Sequence, residues 1–147
     1  MAYIRIRWLI ERGVGRDCKG RGRKGVIKVK HLESTEQQNL FAWAKLAQTK
    51  HPELSLLHAV GNGNARTNAI QGARMKREGV LSGVSDIFLP VSRGGYHGLY
   101  IELKVRGNTT SPSQKWWIAE TSKQGYYSTV CFGWIEAKEI IERYLEG

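Results

Sequence analysis

Cysteine is scarce in this chain. Cys18 and Cys131 are far apart and fall in no C-x-x-C pattern. That argues against a disulfide framework and for reduced thiols in a cytoplasmic protein. His31, His51, His58 and His97 lack zinc-ligand spacing, so no structural zinc is expected. No apolar run approaches the roughly 18–20 residues of a membrane span. The opening MAYIRIRWLIERG is interrupted by arginines and has no small-residue cleavage site, so it does not read as a signal peptide. No internal repeat is evident.

Acidic residues are also few, 13 against 23 Lys/Arg, for a net charge of +10. Residues 1–30 hold ten Lys/Arg and two acids, a net of +8, and the remaining thirteen Lys/Arg and eleven acids leave the body at +2. The stretch GVGRDCKGRGRKGVIKVK suits phosphates better than a core, and Lys19, Arg21, Arg23 and Lys24 are its candidate nucleic-acid contacts. The bland alternative is a solvated tail. At 147 residues the chain is long enough for one domain with a real core.

Periodicity and punctuation predict an α/β domain with a central mixed sheet. Residues 3–10 fit a strand or a short helix, and 13–25 a loop. A helix is expected from Ser34, where Ser34 and Gln37 fit a capping box, to the His51-Pro52 step. The stretch ELSLLHAV (53–60) reads as a buried strand. GNGNAR reads as a turn, or as a loop offering backbone N–H groups and Asn62 and Arg66 to a phosphate. A helix over 68–78 ends at Gly79; Arg74, Lys76 and Arg77 on it could track a nucleic-acid backbone or be a solvated face. Ser111-Pro112-Ser113-Gln114 starts another helix, running to about Gln124. Of the adjacent Trp116 and Trp117, one is expected in the core and the other at a DNA surface or dimer contact. YYSTVCF (126–132) is a strand, and 134–146 a final amphipathic helix.

The stretch GVSDIFLPVSRGGYHGLYIELKV (83–105) predicts a β-hairpin with a three-to-five-residue loop, yet carries charges on apolar strands. Glu102 and Lys104 share one strand face with Tyr100, while Ile101, Leu103 and Val105 take the other. A turn near Gly94 or Gly95 gives opposed residues a sum of about 188–190. An even sum sets Asp86 on the face of Glu102 and Lys104. Two adjacent carboxylates raise each other's pKa. A divalent cation such as Mg²⁺ removes the conflict, and a lysine beside it can hold a water or steady charge developing on a phosphate. A surface cross-strand ion pair, worth about 0.2–1 kcal/mol, fits the pattern equally well.

GVSD followed by ELK resembles the PD-(D/E)XK nuclease signature. The wider set STEQQNLFAWA, LLHAVGNG, RMKREGVLSGVSDIFLP, GGYHGLYIELKV, SPSQKWW and GYYSTVCFGWIEAKEII resembles its virus-type replication-repair nuclease (VRR-NUC) branch, in phage-type stand-alone form. Ser85 stands where that family usually has Pro. The resemblance covers residues 33–147 as a nuclease domain with a restriction-endonuclease-like core, leaving 1–32 as a basic extension. It implies that Asp86, Glu102 and the Leu103 carbonyl hold Mg²⁺, with Mn²⁺ as a substitute, and that Lys104 positions the attacking water. It implies a site role for Gln114, whose other reading is the capping box. Glu36 becomes either a ligand, directly or through water, or a carboxylate capping a helix dipole. The implied activity is a metal-dependent DNA endonuclease hydrolysing phosphodiester bonds of branched, flap or junction DNA. The expected form is a homodimer in the cytoplasm, that of the host if phage-encoded. A non-catalytic DNA-binding accessory protein of replication or repair is the alternative.

Overall fold

Leu99, Ile101 and Leu103 are each no more than 2% exposed and lie on one face of a six-residue strand, around which the fold is arranged. The computed structural model describes residues 23–61 and 69–147. Among these the elements are α1 (Arg23–Ala47), a 3₁₀ turn (Pro52–Leu56), β1 (His58–Ala59), α2 (Ala69–Arg77), β2 (Ile87–Leu89), β3 (Leu99–Lys104), α3 (Pro112–Lys123), β4 (Tyr127–Phe132) and α4 (Trp134–Glu146). The described strands form one sheet in the order β1-β2-β3-β4. The first two pairings are antiparallel and β3–β4 is parallel, because α3 carries the chain back as a crossover. This is the mixed α/β sheet flanked by helices that periodicity predicts.

The sheet has two unlike faces. On one, Ile101, Leu103 and Cys131 pack with Leu40 and Ala44 of α1 and Ala137 and Ile141 of α4. Each such buried aliphatic side chain contributes about 1.5–3 kcal/mol, an upper estimate against an extended chain. Ile101→Ala would cost about 2–5 kcal/mol. Burial pushes the Cys131 thiol up to about 12, so it behaves as a small apolar residue. The other face carries Tyr100, Glu102 and Lys104 and is met by α3, whose Trp117 ring lies edge-on to Tyr100 with centroids 5.7 Å apart.

Three expected elements differ. The first helix begins at Arg23, about three turns before Ser34. The spacing of Ser34 and Gln37 is also that of neighbours on a continuous helix. Ser34 Oγ here accepts from Gln38 Nε2 at 3.3 Å inside α1 instead of capping it. The stretch 53–60 is mostly not a strand: Pro52 opens a 3₁₀ turn, and only His58 and Ala59 pair. Leu54 and Leu57 are the buried residues, at the i, i+3 spacing of that turn. The hairpin connection is also longer than three to five residues, running from Leu89 to Leu99. Its tip is a two-residue turn in which Gly94 (φ 54) and Gly95 (φ 83) are both left-handed, closed by paired backbone hydrogen bonds between Arg93 and Tyr96.

The helix expected over 68–78 is α2, followed by Gly79 at φ 84. Ser111 caps α3 with a complete capping box, as its sequence predicts. Among the described residues no helix is long and apolar enough to cross a membrane. The expectations for residues 3–10, the loop up to residue 22, Cys18 and most of GNGNAR lie outside the described residues.

Candidate active site

Ile87 pairs with Ile101 and Phe88 with Tyr100, a sum of 188. Continued one residue beyond β2, this even register sets Asp86 opposite Glu102. Two local contacts hold Asp86 there. Its carbonyl accepts from the Val60 amide at 2.8 Å, and its Oδ2 accepts from the Leu103 amide at 3.0 Å. Upstream, Gly83 has φ 88, and a Cβ there would come within 2.5 Å of the Ser113 carbonyl carbon. Only glycine lets this loop lie against the first turn of α3, which joins Asp86 and Gln114 to one site. Ser85 is fully buried.

Glu102 is 0% exposed and Lys104 9%. Lys104 Nζ lies 2.7 Å from Glu102 Oε1, and Gln114 Nε2 donates to the same oxygen. Glu102 Oε2 is buried with no hydrogen-bond partner, a costly state for a carboxylate oxygen. Burial first, and the nearby Asp86 second, push the Glu102 carboxyl up to about 7 against the opposing pull of Lys104. Burial pulls the Lys104 ammonium down, but Glu102, Asp86 and Glu33 together outweigh it and raise its pKa.

Asp86, Leu103, Lys104 and Gln114 form one wall of a cleft of about 610 Å³, with Glu33 and Gln37 of α1 on the other, while Glu102 is buried behind Lys104 and Gln114 and does not line it. Gln114 makes two contacts, one in the capping box and one in the cluster. Its Oε1 accepts from the Ser111 amide at 2.8 Å, and its Nε2 reaches Glu102.

Glu36 does not line this cleft. Its Oε2 accepts from the Trp134 amide at 2.7 Å, at the start of α4. The N-cap of α4 is Gly133, which has no side chain to offer, so Glu36 supplies the missing acceptor. The reason is helical phase. Glu36 shares an i, i+4 row with Leu40 and Ala44, which face the core and α4. The neighbouring row, Glu33, Gln37 and Phe41, faces the cleft. Glu33 is therefore the acid of α1 that reaches the site, held by Asn108 Nδ2 at 2.8 Å. It escaped the sequence reading, though a polar i, i+4 row beside the apolar one marks it.

Among the described residues no group of three or more His, Cys, Asp or Glu could hold a metal ion. The site offers two carboxylates and one backbone carbonyl. Strand residues turn N–H and C=O to the same side, so the Leu103 carbonyl faces the side where its amide meets Asp86. This all-oxygen set, with the unpartnered Glu102 Oε2, fits a hard divalent cation that keeps most of its shell for water and phosphate.

The family model for the VRR-NUC domain matches residues 23–133. The chain belongs to the VRR-NUC family. A solved structure described as a VRR_NUC domain protein is 31% identical, with a TM-score of 0.65, over 78% of this chain and 88% of the other. No curated protein matches the chain significantly. The VRR-NUC match begins at Arg23, where α1 also begins.

The remaining candidates are scattered. Lys19, Arg21, Asn62 and Arg66 lie outside the described residues. Arg23 and Lys24 open α1. Arg74 pairs with Glu78 at 2.7 Å, and Lys76 and Arg77 are also exposed on α2. Trp116 is 51% exposed, whereas Trp117 is half-buried against Tyr100.

Proposed function

We propose that this VRR-NUC chain is a Mg²⁺- or Mn²⁺-dependent DNA endonuclease. The observation that carries the reading is Glu102: a fully buried carboxylate opposite a second carboxylate, Asp86, with one oxygen held by Lys104 and Gln114. A structural ion pair alone does not call for a second acid placed to raise the first. Asp86, Glu102 and the Leu103 carbonyl would hold the cation, which when bound supplies Lewis-acid stabilisation of the phosphate and a more acidic water.

The chain's own groups do the rest. Lys104 donates to the attacking water or to a phosphate oxygen as charge builds on it. Gln114 fixes the Glu102 carboxylate by donating to Glu102 Oε1. Glu33 stands across the cleft, near enough to Lys104 to raise its pKa.

The substrate we propose is branched, flap or junction DNA, and the active form a homodimer in the cytoplasm. The outer edge of β4 ends the described sheet, and an unpaired strand edge supports pairing of two copies. The test is cleavage of supercoiled plasmid and of branched DNA with Mg²⁺, Mn²⁺ or EDTA. Cutting with either metal and none in EDTA is the expected result. DNA binding without cleavage under every metal condition would replace this reading with that of an accessory DNA-binding protein.

A further inference from the structure

The face of the sheet that carries Glu102 also carries a row of aromatic side chains. His58, Phe88 and Tyr100 oppose one another directly across β1, β2 and β3. The Phe88 and Tyr100 rings are stacked, with centroids 4.3 Å apart and planes 17° apart. Tyr126 joins them at 5.3 Å from Tyr100 and 6.1 Å from Phe88. Gly98 makes room for this: a Cβ there would meet the Phe88 ring at 3.0 Å.

None of these rings belongs to the buried core. Phe88, Tyr100 and Tyr126 are half-buried, Trp117 of α3 packs edge-on against Tyr100, and His58 and His97 at the margins are exposed. The opposite face of the same strands is sealed, with Ile87, Leu89 and Ile101 at 0% exposure. Tyr100 precedes Glu102 by two residues, and Phe88 follows Asp86 by two. The aromatic row is therefore the next row to the two carboxylates on the same face, about 7 Å away.

We propose that Phe88, Tyr100 and Tyr126 form a stacking floor for unpaired bases of the DNA strand that enters the Asp86–Glu102 site. The inference rests on the nuclease reading and adds which part of the substrate is recognised. Every base offers a π-face, so such a floor binds unpaired nucleotides without reading sequence. A surface of rings, hydroxyls and imidazoles on the sheet face that carries Lys104 suits flat bases better than an aliphatic protein partner, and the basic excess of residues 1–30 supplies attraction for the phosphates. It also gives a physical reason for preferring a flap or an unpaired tail to an intact duplex, whose bases are not free to stack.

The test is equilibrium binding of the full chain in EDTA to labelled DNA. Three ligands are compared: a blunt duplex, the same duplex with an unpaired tail, and that tail with abasic sites, which keep the phosphates and remove the bases. Wild type should bind the natural tail roughly tenfold or more tighter than the abasic tail. Phe88→Leu and Tyr126→Leu keep apolar bulk without a π-face and should lose most of that difference. Phe88→Trp should keep it. Melting temperatures confirm that each variant is folded. Equal binding of natural and abasic tails by wild type would overturn the proposal, as would a full tenfold difference in both leucine variants. Cleavage is scored separately: a base-dependent tail preference in a protein that never cuts keeps this floor and rejects the nuclease reading.

Discussion

Gln114 holds Glu102 with one end of its amide and the capped start of α3 with the other. Its Nε2 donates to Glu102 Oε1, while its Oε1 accepts from the Ser111 amide at 2.8 Å. Removing the side chain should therefore have two separable effects. Ser111→Ala loses only the cap, about 1 kcal/mol of stability, and should cleave normally. Gln114→Ala should lose similar stability and, in addition, at least tenfold in cleavage rate at saturating metal. Equal rates in the two variants would reduce Gln114 to a capping residue.

Glu33 and Glu36 should behave oppositely. Glu36→Gln weakens a carboxylate cap on α4 and should lower stability by about 1 kcal/mol with little effect on the chemical step. Glu33→Gln, facing the cleft, should leave the melting temperature nearly unchanged and slow cleavage. Thermal melts and single-turnover rates on the same preparations decide this, and a reversed pattern would return Glu36 to the site.

The raised Glu102 carboxyl gives metal-free stability a definite pH dependence. Its folded pKa, about 7, lies above the ordinary 4.5, so the folded state holds the proton more tightly. The contribution is complete below pH 4.5 and is lost progressively as pH rises towards 7. Glu102→Gln should flatten this decline in melts recorded in EDTA. An unchanged slope in the variant would place the titration elsewhere.

Lys104 tests the difference between charge and position. Arginine keeps the charge but is planar and bulkier. If Lys104 positions water or phosphate, Lys104→Arg should lose on the order of 100-fold in rate, with Mn²⁺ affinity largely kept. Near-normal cleavage would leave it the role of a charge partner.

The basic N-terminus should act through phosphates. Residues 1–22 carry six Lys/Arg and two acids, a net of +4. Their deletion stops short of α1, and it should weaken DNA binding and flatten its salt dependence, because fewer counterions are released. An unchanged slope of log affinity against log salt would show that the segment does not touch the backbone.

The hairpin was legible only in part: strand periodicity puts Glu102 and Lys104 on one face, but the Gly94-Gly95 tip pairs Arg93 with Tyr96, a sum of 189, and a one-residue offset between tip and strands restores the even register that sets Asp86 opposite Glu102. The α3 start was legible because Ser111, Pro112 and Gln114 each have a local reason to be there. What the sequence hid was tertiary. Ser34 and Gln37 have cap spacing, yet the helix runs through them, since nothing in residues 23–33 breaks it. ELSLLHAV is apolar enough for a strand, but Pro52 commits its first half to a 3₁₀ turn. Glu36 points where its phase demands, towards the core side. Its partner, the Trp134 amide, lies 98 residues away, and no local pattern names it.

The central claim is that Asp86 and Glu102 together hold the cation on which phosphodiester hydrolysis depends. The most direct measurement is the single-turnover cleavage rate of one branched DNA across a Mn²⁺ titration, for wild type and Glu102→Gln. The account predicts saturable, metal-dependent cutting by wild type, and a loss of at least 100-fold in the variant that added Mn²⁺ does not restore. Equal rates in the two proteins, or wild-type cutting that persists in EDTA, would contradict it.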